Sequence, residues 1–140
     1  MIKNILNLGD SAIYCDFGSE VNKEINHEVI KYFKTLTSKN IKGITNLAPS
    51  YNKLIITFDL DVINYKELSE KILNLKLDEI NETASKKKII PICIDEEFAL
   101  DIERVSKNTN LNIKEIYQHI LNKDFYCYMT GFVAGMPFLG

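Results

Sequence analysis

ITNLAPSYNKLIITFD, residues 44–59, contains two β-prone runs split by the turn-rich cluster Pro49-Ser50-Tyr51-Asn52. Leu54, Ile56 and Phe58 alternate with Lys53, Ile55 and Thr57, the period of a strand with one buried face. The stretch therefore reads as a strand pair, and its neighbours repeat the plan. Upstream, IKNILN (2–7) and SAIYCDF (11–17) flank Gly9-Asp10, a spacing that suits a hairpin or sharp reversal.

Between the two pairs, VNKEINHEVIKYFKTLTSKN carries Ile25, Val29, Phe33 and Leu36 at steps of three and four, with Ile30 and Tyr32 widening the stripe. That is an amphipathic helix, with Asn22 as its cap and Gly43 just beyond its end. After the second pair, NYKELSEKILNLKL opens with Asn64 and Glu67 at capping-box spacing and carries Leu68, Ile72 and Leu75. The order ββαββα predicts an α+β fold. Residues 1–77 are expected to form a two-layer sandwich with both helices on one face of the sheet.

Residues 78–88, DEINETASKKK, are polar and weakly periodic and read as a linker. Residues 89–140 are expected to be a second, incomplete domain. KIIPICID reads as a strand, LDIERVSKN and NIKEIYQHILN as short helices, and FYCYMTGF as another strand. Asn112 and Glu115 repeat the capping-box spacing. Two strands are too few for an independent core, so the apolar side chains should bury against residues 1–76 or another copy of the chain.

Composition narrows the function classes. A net charge of −2 from 17 basic and 19 acidic residues, well mixed, predicts no nucleic-acid partner. Cys15, Cys93 and Cys127 are odd in number, scattered and without CxxC spacing, which argues against zinc and a secreted disulfide framework. With no leader-like start and no apolar run of about 20 residues, a cytoplasmic protein with no membrane partner is expected. The chain has no Walker A sequence, Rossmann fingerprint or nucleophile elbow. Asp95, Glu96, Glu97 and Asp101 surround a strand-to-helix turn, where carboxylates ordinarily serve the helix dipole, and no metal site is expected.

Certain motifs carry a resemblance. Gly9-Asp10-Ser11-Ala12, Gly43-Ile44, Pro49-Ser50-Tyr51, the stretch IPICIDEEFALDIERV, His119 at a helix end, and above all YCYMTGFVAGMPFLG (126–140) resemble the KipI / allophanate hydrolase subunit 1 family. That family includes the B subunit of 5-oxoprolinase. Ala134, Met136 and Ala99 stand where the family pattern has proline, phenylalanine and glycine. The resemblance implies a cyclophilin-like β-barrel beginning at residue 89 and cut short at the C-terminus: a truncated product, a fragment, or half of a split protein.

It also implies a component of an ATP-dependent amide-hydrolysing complex that converts 5-oxo-L-proline to L-glutamate, with KipA-like and LamB/YcsF-like proteins as partners. The alternative from the same family is a KipI-like inhibitor of a sporulation-type histidine kinase. ATP would be used by the complex, with no cofactor bound by this chain, and the isolated chain is expected to be inactive. Self-association through the unfinished barrel segment is a further expectation.

Candidates for substrate or partner contact are His119, Tyr128, Gly131, Phe132, Gly135, Pro137 and Phe138. Each has a structural alternative. His119 can cap helix carbonyls, the glycines can make a barrel corner, and the apolar residues can be core left uncovered.

Overall fold

The computed structural model describes residues 1–79 and 87–140. Most of the expected linker at 78–88 lies outside these described residues. The described residues form a mixed α+β fold with a four-stranded antiparallel sheet, a two-stranded hairpin and four α-helices. The chain divides into two compact units, Met1–Asn81 with Tyr126–Gly140, and Glu82–Phe125. This differs from the expected single segment over 89–140, because the last fifteen residues group with the first unit.

In the first unit, β1 (Asn4–Asn7), β2 (Ala12–Asp16), α1 (Lys23–Lys39), β3 (Ile44–Pro49), β4 (Lys53–Phe58) and α2 (Tyr65–Leu73) follow in that order. The sheet order is β1-β2-β4-β3, all antiparallel. Ile13 faces Ile56 and Cys15 faces Leu54 across the β2–β4 ladder, so these four side chains share one face. Val29, Tyr32 and Leu36 of α1 and Leu68 and Ile72 of α2 join them in a single core cluster. Full burial of each such aliphatic side chain stabilises by about 1.5–3 kcal/mol. The opposite face carries Tyr14, Ile55 and the Asp16–Lys53 ion pair, all half-buried.

Local signals account for the helix ends. Asn22 and Asn64 accept the amide hydrogens of Ile25 and Glu67 through their side chains, at 2.9 and 3.0 Å. α1 ends at Lys39, with Asn40 in the left-handed conformation at its C-cap (φ 45°), and Gly43 (φ 98°) lies in the turn just beyond, as expected. A Cβ on Gly43 would lie 2.5 Å from Ile63 Cγ2, so only glycine lets the chain pass there.

The buried side of α1 is also rotated from the expected stripe. Asn26, Val29, Tyr32, Thr35 and Leu36 are buried, while Ile25 and Phe33 pack only partly against the core. Thr35 is satisfied by accepting the Asp78 amide hydrogen at 3.1 Å.

The chain returns to this unit at its end as a hairpin, β5 (Cys127–Thr130) and β6 (Pro137–Leu139). A β6 strand is not expected from the sequence, where Pro137-Phe138-Leu139 is too short to show a period.

The second unit carries a short 3₁₀ turn (Glu96–Phe98) and two helices, α3 (Ile102–Thr109) and α4 (Ile113–Leu121). Asn110 (φ 56°) turns one helix into the next. Asn112 and Glu115 form a complete capping box at 2.8 and 2.9 Å. The expected strand at 88–95 is not one: residues 87–95 belong to no helix, strand or turn. Its composition is right, but a strand is a paired object, and its unit holds no strand among the described residues.

Candidate active-site surface: the tyrosine hub

The returning hairpin is seated on Asn26, which is 1% exposed. Its side-chain amide donates to the carbonyls of Ser50 (3.1 Å), Tyr51 (3.0 Å) and Tyr128 (3.2 Å). Its oxygen accepts the Tyr126 hydroxyl at 3.2 Å. One side chain on α1 thus ties together the β3–β4 turn and the C-terminal hairpin. Two N–H groups serve three carbonyls, so at least one hydrogen is shared.

A register shift in the hairpin makes this geometry available. The pairing passes from Cys127–Leu139 directly to Met129–Phe138, which leaves Tyr128 as an extra residue on β5. Its carbonyl is therefore free of the ladder and can accept from Asn26. The ends of the hairpin are clamped by reciprocal backbone bonds between Tyr126 and Gly140 at 2.9 and 3.1 Å. Gly140 also lies beneath the Tyr128 ring, where a Cβ would come within 2.9 Å of Cε2.

Aromatic contacts surround the amide. The Tyr51 ring lies 5.2 Å from Tyr128 and 6.2 Å edge-on from Phe138, and Tyr126 meets Tyr128 at 4.8 Å. The Lys23 ammonium sits 5.4 Å over the Tyr126 ring. Burial raises the Tyr126 hydroxyl above the usual phenol value, assisted by Tyr128 and Cys127. The phenol stays protonated near neutrality and keeps its donor role toward Asn26.

Of the residues expected from the sequence, Tyr128 and Phe138 are brought together here. Pro137 begins β6, and Gly131, Phe132 and Gly135 form the loop between the strands. Phe132 is 93% exposed and has φ 64°. The Val133 amide donates to the Gly131 carbonyl across it at 2.8 Å, a γ-turn that strains a non-glycine residue.

His119 belongs to the other unit. There it lines an open depression of about 400 Å³ along α4, with Glu115, Gln118, Asn122 and Lys123. Asn26, Tyr51 and Tyr126 were not among the expected site residues. Tyr51 and Tyr126 lie within the motifs Pro49-Ser50-Tyr51 and 126–140, but nothing local marks Asn26, flanked by Ile25 and His27.

Among the described residues, no group of three or more His, Cys, Asp or Glu side chains is placed to hold a metal ion. No helix of the described residues is long and apolar enough to cross a membrane. The hub offers hydrogen-bonding phenols, backbone groups and ring faces. It suits binding and positioning.

Residues 3–140 match the family described as carboxyltransferase domain, subdomain C and D. The chain belongs to this family. It is 30% identical to the B subunit of 5-oxoprolinase from Bacillus subtilis (strain 168) over 146 aligned positions, covering 95% of this chain and 60% of that protein. The crystal structure of PH0987 from Pyrococcus horikoshii is 27% identical with a TM-score of 0.51, covering 98% of this chain and 63% of that one. TTHA0988 shares the fold at 22% identity and a TM-score of 0.71, over 91% of this chain and 24% of that one. This member of the carboxyltransferase C and D family thus spans under two thirds of the length of these relatives.

Proposed function

We propose that the chain serves in an ATP-dependent 5-oxoprolinase-type complex, which adds water across the lactam amide of 5-oxo-L-proline to give L-glutamate. The observation that carries this reading is its 30% identity to the B subunit of 5-oxoprolinase along 95% of the chain. In this reading residues 1–77 are the two-layer ββαββα sandwich and residues 89–140 open a cyclophilin-like barrel. KipA-like and LamB/YcsF-like proteins are its partners, ATP is handled by a partner, and the tyrosine hub with Phe132, Gly131, Gly135 and Pro137 lies on the contact surface. His119 serves the same complex from α4. The hub holds groups that orient an amide or a neighbouring backbone, consistent with a positioning rather than a nucleophilic part.

The test combines the purified chain with the KipA-like and LamB/YcsF-like proteins and follows ATP-dependent glutamate release. Association with the KipA-like protein is expected, and the chain alone should release no glutamate. Failure to bind either protein, together with capture of a histidine-kinase dimerisation domain, would replace this reading with the KipI-like inhibitor.

A further inference from the structure

We propose that Asn26 is a positioning residue: it selects one of two registers open to the C-terminal hairpin. Through that choice α1 sets the pose of the loop that carries Gly131, Phe132 and Gly135.

Both registers share the same base. Tyr126 and Gly140 exchange two backbone hydrogen bonds, and Cys127 pairs with Leu139. Hydrogen-bonded pairs recur at every second residue of an antiparallel ladder. A regular continuation would therefore pair Tyr128 with Phe138 and turn the Tyr128 carbonyl into the ladder, toward the Phe138 amide. Instead Met129 pairs with Phe138 and Thr130 with Pro137, and the Tyr128 carbonyl accepts from Asn26 at 3.2 Å. Asn26 and Phe138 thus compete for one carbonyl. The even positions of β6 are the hydrogen-bonded ones in either register, so Pro137, which has no N–H, fits both.

The two registers differ beyond Tyr128. A slip of one residue exchanges the faces of Met129 and Thr130, of which Met129 is half-buried and Thr130 exposed. The bulged form closes its loop through the Gly131 amide and the Met136 carbonyl at 3.1 Å, which leaves residues 132–135 to make the turn. The regular form closes at Thr130 and Met136 and gives the turn one residue more, with Gly131 and Gly135 at its two ends. That longer turn frees Phe132 from its φ of 64°. Backbone strain therefore favours the regular form. The Asn26 amide and the burial of Met129 favour the bulged one.

Nuclear Overhauser contacts between Hα atoms of non-hydrogen-bonded pairs report the register on the full 140-residue chain. The native chain should show Thr130 against Pro137. Asn26→Leu keeps the volume and removes the amide. Its bonds with Ser50, Tyr51 and Tyr126 are lost from both registers alike and cancel in their ratio. That ratio should move toward the regular form by about tenfold or more, with a Met129–Pro137 contact appearing as the Thr130–Pro137 contact weakens. A second variant, Met129→Thr with Thr130→Met, reverses which side chain prefers burial while Asn26 stays in place; position 130 should remain opposite Pro137. A native chain without the Thr130–Pro137 contact would overturn the proposal. So would an Asn26→Leu chain that keeps that contact alone or shows neither, or a face-exchanged chain that slips despite Asn26.

Discussion

Replacing Asn26 tests whether one amide holds the C-terminal hairpin to the rest of its unit. Its two N–H groups serve three carbonyls and its oxygen takes one hydroxyl, equivalent to three full hydrogen bonds. At a net contribution of about 1 kcal/mol each, Asn26→Ala should cost about 3 kcal/mol, with the small void adding to the loss. Asn26→Asp keeps the volume but turns an acceptor toward three carbonyls, and should cost more.

Amide hydrogen exchange is the suitable assay because it separates opening of the hairpin from global unfolding. The Tyr126 and Gly140 amides, which close the hairpin, should exchange about a hundredfold faster in Asn26→Ala, as 3 kcal/mol implies. The deficit of Asn26→Asp should shrink in acid. Burial against carbonyls raises the folded carboxyl above the unfolded value of about 3.9, so the folded state gains relative stability as the group protonates. Equal, small effects of the two substitutions, below about 1 kcal/mol, would refute the donor argument and reduce Asn26 to a space-filling residue.

Gly43→Ala should destabilise by about 2 kcal/mol or more in thermal unfolding, because its Cβ meets Ile63 at 2.5 Å, whereas Gly135→Ala, with nothing within 4 Å, should cost only the left-handed backbone strain of about 1 kcal/mol. The Asp16 carboxyl is held below its usual range by hydrogen bonds from Lys53 and the Gly18 amide. Its contribution is complete above about pH 4 and is lost as pH falls through the lowered folded value; Lys53→Met should remove about 1 kcal/mol at neutral pH and flatten that acid limb of a stability–pH curve. Burial pushes the Cys15 thiol up to about 12, while Cys93 and Cys127 are exposed. A thiol reagent should therefore modify two of the three cysteines in the native chain and the third only on denaturation.

The parts legible in the sequence are those set by neighbours a few residues away. Asn22, Asn64 and Asn112 announce helix starts because a cap bonds an amide three residues on. Leu54, Ile56 and Phe58 announce a strand face because side chains alternate. Non-local features were hidden. Gly43 is legible as the turn beyond α1, but its close approach to Ile63, twenty residues away, is not. KIIPICID has strand composition and no partner within its unit among the described residues. Asn26 resembles a wet-face residue until Tyr126 and Tyr128 arrive from the other end of the chain. The family motif directed attention to Tyr128 and Phe138, yet the side chain that organises them lies in α1.

The 102-residue separation between Asn26 and Tyr128 has a consequence for biosynthesis. At about 5–20 residues per second, a ribosome needs on the order of 5–20 s to travel from one to the other. Through that interval the nascent first unit waits with a naked carboxamide and an uncovered Tyr51, open to chaperones or to the wrong strand. Only when Tyr126 and Tyr128 have cleared the exit tunnel can that early-made half of the molecule finish closing.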